Sequence, residues 1–164
     1  MKTINVGAAL SGNCRQALFK IASTASLPIH FAATRESRTA RVIFLDSSKL
    51  TDWPGLVETI GSKLDFQNTS ARGYDFGLDA FLDCLRDAID GSPDGLILVF
   101  RNADQVLRRD RKYRFSQLIS VFEDSARYSS QLIQDGEWWD RGPVYFRVIF
   151  ETSGKLPLPQ IAFA

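Results

Sequence analysis

Apolar residues recur at helical spacing between residues 73 and 90, which read GYDFGLDAFLDCLRDAID. They stand at positions 78, 81, 82, 85, 88 and 89, the i, i+3, i+4, i+7 spacing of one buried helix face. Aspartates follow the opposite side at four-residue intervals, with Asp90 just behind: Asp75, Asp79, Asp83 and Asp87. The pattern predicts an amphipathic helix that carries a row of carboxylates on its exposed side.

Three other segments have the pattern of β-strands. They are rich in β-branched and aromatic residues and lie at 41–46, 96–100 and 145–151. The second is a continuous apolar run between turn residues, which is typical of a strand buried on both faces at the centre of a sheet.

Two further helices are predicted. Asp52 suits an N-cap because Pro54 follows in the first turn, and apolar residues continue that helix to Leu64. Residues 114–129 repeat the helical spacing. Because the crossovers between strands are longer than a dozen residues, the strands should be parallel. The predicted fold class is α/β, a three-stranded parallel sheet covered by helices.

The first forty residues are expected to extend this domain. Residues 8–23 have a weak helical pattern, and a strand-like run at 28–33 is compatible with an edge hairpin to 41–46. At 164 residues the chain has the length of one domain, so we expect a single unit over 1–164.

The composition of the chain narrows the classes of function that it could have. The formal net charge is +1, so no global field favours an acidic or a basic partner. No apolar run is long enough to span a membrane, and the N-terminus lacks the features of a signal peptide, so a cytoplasmic protein is expected. With one histidine and two cysteines, we expect no metal, no cofactor and no disulfide framework.

Enzyme motifs are missing from the sequence, and the protein is expected not to be an enzyme. His30 lies in an apolar run, where a structural role is favoured, and neither a phosphate-binding GxxxxGK[ST] loop nor a nucleophile elbow occurs. The basic segment RRDRKYR (108–114) either contacts phosphates or is a solvated loop. Trp138 and Trp139 either anchor a partner or close one end of the core.

Few basic residues lie near the aspartate row in the sequence. Six aspartates and one basic residue, Arg86, lie between Tyr74 and Phe100. Asp87 and Asp90 also lie toward the helix C-terminus, where the macrodipole disfavours negative charge. Stability therefore does not explain the row, which would suit a row of cations in a pocket that holds phosphates.

The segment LDAFLDCLRD (78–87) resembles the second-helix signature of the barstar family, intracellular protein inhibitors of the ribonuclease barnase. LDSSKLTDWPGLVETI (45–60) looks like the family's first strand, turn and first helix, and LILVFRNADQ like its second strand. FSQLISVFED (115–124) and VYFRVIFE are similar to its last helix and last strand. The resemblance covers 41–152 and leaves 1–40 as an N-terminal extension.

The resemblance implies a function. Family members block a ribonuclease by presenting this helix and the preceding loop to the cationic active site, where acidic side chains stand in for RNA phosphates. Asp79 and Asp83 match the two helix aspartates of that contact, Asp124 matches an acidic residue of the last helix, and Tyr74 is nearest to a loop tyrosine. The predicted partner-binding residues are Tyr74, Asp75, Asp79, Leu82, Asp83, Asp87 and Asp124.

The leading hypothesis is therefore an inhibitor or immunity protein that blocks a cognate ribonuclease toxin, with Asp83 deepest in the active site and no direct contact to nucleic acid. Two alternatives stay open. The same acidic side would also suit a cationic partner that is not a nuclease, and the basic 108–114 segment would suit a small RNA-binding protein.

Overall fold

A single parallel sheet organises the part of the chain that the computed structural model describes, namely residues 3–5, 18–22, 40–66, 76–136, 140–153 and 160–162. Within these ranges the sheet has six strands in the order β1-β6-β2-β5-β4-β3, and every pairing is parallel. The strands are β1 (Thr3–Asn5), β2 (Leu18–Ala22), β3 (Arg41–Asp46), β4 (Leu96–Arg101), β5 (Phe146–Thr152) and β6 (Gln160–Ala162).

Within the described residues, three α-helices connect β3, β4 and β5. They are α1 (Trp53–Leu64), α2 (Leu78–Asp90) and α3 (Phe115–Ser129). Two short 3-10 helices, Ser47–Lys49 and Ala103–Gln105, follow the carboxyl ends of β3 and β4. The predicted α/β class, a parallel sheet of β3, β4 and β5 with helices, is confirmed.

Helix α1 begins as its sequence predicts. The side chain of Asp52 accepts a hydrogen bond from the Gly55 amide at 3.0 Å, and Pro54 lies in the first turn. The proline removes no helical hydrogen bond there. The helix ends at Leu64 and is capped by Asp65, whose left-handed conformation (φ 59°) aspartate tolerates better than most residues do.

Strand β4 lies in the middle of the β3-β4-β5 sheet and is buried from Leu96 to Phe100. Gly95 leads into it with φ at 112°, and a Cβ there would lie 2.8 Å from the Tyr145 carbonyl oxygen. Only glycine fits this turn, since both the backbone angle and the close approach exclude a side chain.

The main core lies between the sheet and the helices. Phe100 stacks on Phe150 with ring centroids 5.0 Å apart, and Phe122 of α3 packs against both. Phe81 and Leu85 of α2 are fully buried in the same core. This packing fixes which side of α2 faces outward.

The N-terminal extension differs from expectation where it is described. Residues 18–22, predicted as the end of a helix, form strand β2, so that prediction is wrong. A short apolar run does not distinguish helix from strand by itself, and parallel pairing with β5 decides here. The remainder of 8–23, apart from 18–22, and the run 28–33 lie outside the described residues, so the predicted hairpin stays a prediction.

Among the described helices, none has the length and apolarity that crossing a membrane requires.

Candidate functional site

Helix α2 divides sharply into a buried and an exposed side. Phe81 and Leu85 have no exposed surface, whereas the three aspartates spaced one turn apart on the other side are exposed. We call these three, Asp79, Asp83 and Asp87, the acidic face. The helical spacing predicted both the buried side and this exposure.

A tryptophan fixes the start of α2. The indole nitrogen of Trp53 donates a hydrogen bond to the carbonyl oxygen of Phe76, just before the helix. The Trp53 ring also packs against Phe81 at 5.3 Å and against Tyr113 at 4.5 Å between centroids. Gly77, the N-cap, supplies no side-chain cap. The hydrogen bond and the ring contacts therefore anchor the helix start, a role that the sequence did not indicate for Trp53.

The C-terminal end of α2 is neutralised by tertiary contacts. Arg141 Nε lies 2.5 Å from one carboxylate oxygen of Asp90, and the Tyr128 hydroxyl donates to the other at 2.6 Å. The guanidinium of Arg141 also lies 4.6 Å from the Tyr128 ring centroid. Burial, together with the hydrogen bond to Asp90, raises the pKa of Tyr128 above 10.0. Asp90 is thus a structural residue, set apart from the acidic face.

The acidic face, in contrast, has few basic side chains near it among the described residues. Asp83 is 73% exposed, and among the described basic residues it pairs only with Arg86, whose Nη1 lies 3.7 Å away, the length of a weak surface pair. Within the described ranges, no basic side chain lies within 4.0 Å of Asp79 or Asp87. Three carboxylates with one loose internal partner form a net negative surface.

The other predicted partner-binding residues are placed less uniformly. Asp124 lies on α3, which packs beside α2, and pairs with Arg127 at 2.8 Å. Leu82 is half-buried and packs against the core, so only part of its side chain is available. Tyr74 and Asp75 lie outside the described residues. The structure therefore brings Asp79, Asp83 and Asp87 onto one helix side, with Asp124 on the neighbouring helix.

The remaining candidates lie only partly within the described part of the chain. No cluster of three His, Cys, Asp or Glu side chains there would hold a metal ion. Cys84 lies half-buried on α2. Cys14, His30, Trp138 and Trp139 lie outside the described residues. The basic segment is an exposed loop held by Asp110, whose carboxylate accepts hydrogen bonds from the Trp53, Lys112 and Tyr113 amides.

Fold and site together define a class, a parallel α/β domain that presents an acidic helix face. Residues 40–151 match the family model described as Barstar (barnase inhibitor). The match covers more than half of the chain, and the chain therefore belongs to the barstar family. No curated protein and no solved structure gives a significant match.

Proposed function

We propose that this protein is an inhibitor or immunity protein that blocks the cationic active site of a cognate ribonuclease. The observation that carries the proposal is the acidic face, a one-turn repeat of exposed carboxylates on a helix whose other side is locked in the core. Membership of the Barstar (barnase inhibitor) family supports it.

The acidic face has the chemistry that a ribonuclease active site binds. Such a site holds the phosphates of RNA with cationic side chains, and carboxylates spaced about 5–6 Å apart along a helix offer it a row of negative charges. Opposite charges across an interface also speed association, since the field of each partner steers the other. A rigid helix adds affinity because little order is lost on binding.

Each residue has a proposed place in the complex. Asp83, in the middle of the row, enters deepest and pairs with the catalytic cations of the enzyme. Asp79 and Asp124 contact flanking cations, while Tyr74, Asp75, Leu82 and Asp87 complete the contact. The weak pairs of Asp83 with Arg86 and of Asp124 with Arg127 are exposed and exchange for contacts with the partner at small cost.

Inhibition of RNA cleavage tests the proposal. Ribonucleases from a bacterial panel that includes barnase are assayed with and without the protein, under cytoplasmic buffer conditions. We expect at least one enzyme to be inhibited at a one-to-one ratio of protein to enzyme. While RNA is well below its KM, the amount of protein needed should follow the enzyme concentration and not the RNA concentration, because the protein blocks the enzyme. Above KM, RNA should weaken the inhibition, since RNA and the protein compete for the same active site.

Two results would contradict the proposal. If no ribonuclease is inhibited and the acidic face instead captures a cationic protein without nuclease activity, the surface serves another kind of partner. If, with RNA below its KM, protection requires protein in proportion to RNA and not to enzyme, the protein acts by covering the substrate.

A further inference from the structure

A polar cavity lies at the carboxyl ends of β3 and β4, formed by elements other than α2. Its volume is about 390 Å³, within the range of small-ligand pockets. The residues that line it carry two hydroxyls, one amide and two guanidinium groups, and they are Ser48, Thr51, Gln105, Arg108 and Arg109. In open parallel sheets, ligands bind beyond the carboxyl ends of the strands.

The backbone holds the two arginines against the opposite wall of the cavity. The Leu107 amide donates to the Leu50 carbonyl at 2.8 Å, and the Arg109 amide donates to the Thr51 carbonyl at 2.8 Å. Leu107 has φ at 53°, a left-handed conformation that is uncommon for leucine and costs free energy. The arginine backbone is therefore fixed before any ligand arrives.

The cations of this cavity are not neutralised by the described part of the chain. No carboxylate there lies within 4.0 Å of the Arg108 or Arg109 guanidinium. Arg108 donates only a long hydrogen bond, 3.3 Å, to Gln105 Oε1. Both arginine side chains are exposed, and their remaining donors can turn toward a ligand.

The carboxylates near this end of the sheet already have other hydrogen-bond donors. Asp46 accepts from the Ser48 amide, and Asp52 accepts from the Gly55 amide. Asp110 accepts from three backbone amides, and Asp104 accepts from Thr152 and Ser153. The acids thus shape the loops, while the arginines face the cavity.

We propose that this cavity binds a phosphate group. Arginine is the side chain best suited to phosphate because its planar guanidinium donates two parallel hydrogen bonds. The hydroxyls and the amide add neutral donors, and none of the described residues that line the cavity is aromatic and able to stack on a base. The ligand is therefore recognised by its phosphate, on a small molecule or at the end of an RNA strand. This proposal does not rest on the proposed inhibitor function, because the cavity is formed by residues outside α2.

Calorimetric titration of the full chain with pyrophosphate tests this site. Wild-type protein should bind pyrophosphate at millimolar concentration or below. The double variant Arg108→Gln, Arg109→Gln should bind about tenfold or more weakly, because it loses charge-assisted hydrogen bonds. The matched control, Arg111→Gln with Arg114→Gln, removes the same charge from the same segment outside the cavity lining. It should change the affinity by less than about threefold.

Two results would overturn the proposal. One is that the wild type does not bind pyrophosphate. The other is that both double variants lose affinity equally, because this would indicate only a general attraction to a basic loop.

A short single-stranded RNA with and without a 5′-phosphate distinguishes the two possible ligands, an RNA end and a small phosphorylated molecule. Preference for the phosphorylated strand that disappears in Arg108→Gln, Arg109→Gln supports a strand end as ligand. Pyrophosphate binding without that preference supports a small phosphorylated molecule. Thermal denaturation confirms that each variant is folded.

Discussion

Arg86 is the described cation nearest to the acidic face, and it belongs to the same helix. Its Nη1 lies 3.7 Å from Asp83, while its guanidinium lies 5.2 Å from the ring centroid of Tyr128. Its Nε is buried and has no hydrogen-bond partner among the described residues. Arg86 therefore competes weakly for Asp83 and lowers the negative potential that a cationic partner meets.

We expect Arg86→Gln to tighten binding to the inhibited ribonuclease by up to about fivefold, the size of one exposed ion pair. The gain comes from removing both the competing pair and a repelled positive charge. The measurement is the inhibition constant at low and at high salt, and the gain should shrink with salt. Arg101→Gln, the control, changes the net charge equally at the end of β4. Weaker binding by Arg86→Gln, or the same gain in the control, would count against the acidic face.

The sequence predicts the local features of α2 but not its tertiary contacts. Asp79, Asp83 and Asp87 could be assigned to one exposed side because helical spacing is a local property. The pairing of Asp90 with Arg141 could not, since tertiary packing brings the arginine from a distant part of the chain. The end of α2 lacks a cation only among its neighbours in sequence, because Arg141 supplies one through the fold.

At the level of elements, the carboxylate of Asp110 links its own loop to the start of α1. Asp110 accepts hydrogen bonds from the first amide of α1 and from two amides of its own loop. Burial acts to raise the pKa of Asp110, but the hydrogen bonds from the Tyr113, Trp53 and Lys112 amides outweigh it and hold the pKa below 3.8. The ionised form thus stabilises the fold.

We expect Asp110→Asn to lower the free energy of unfolding by about 1–3 kcal/mol near neutral pH, since hydrogen bonds to a charged acceptor are lost. Because the folded pKa is depressed, this stabilisation is present above 3.8 and is lost as pH falls through the folded value. Urea denaturation at neutral pH and at a pH below 3.8 measures the free energy of unfolding of wild type and variant. The difference between them should be smaller in acid. A difference that is constant with pH would contradict the role of the charge.

The elements also show where sequence reasoning ends. Helices α1, α2 and α3 were predicted because caps and apolar spacing are local, but α2 begins at Leu78 and not at the start of the 73–90 stretch. Strand β2 was missed because five residues carry too little periodicity, and only the neighbouring β5 makes them a strand. The order of the outer strands depends on long-range pairing that no local pattern encodes.

For the whole molecule, a near-neutral net charge of +1 conceals local segregation. Different elements carry the two charged surfaces, the acidic face of α2 and the arginines beyond β3 and β4. Within the described residues, the acidic face has one close cation, Arg86, and the two cavity arginines have no close carboxylate. Net charge therefore says little about the partners of this protein. In the complex of barnase with barstar, close charge pairs couple by about 1.5–7 kcal/mol, which sets the scale expected within this family.

The central claim is that the acidic face binds the ribonuclease, and one affinity comparison tests it most directly. The triple variant Asp79→Asn, Asp83→Asn, Asp87→Asn removes the face, while Glu58→Gln, Asp65→Asn, Asp94→Asn removes the same charge from other exposed positions. We measure the dissociation constant of each with the inhibited ribonuclease. The account predicts a loss of about a hundredfold or more for the first variant and less than about fivefold for the second. Equal losses, or an unchanged constant for the first, would contradict it.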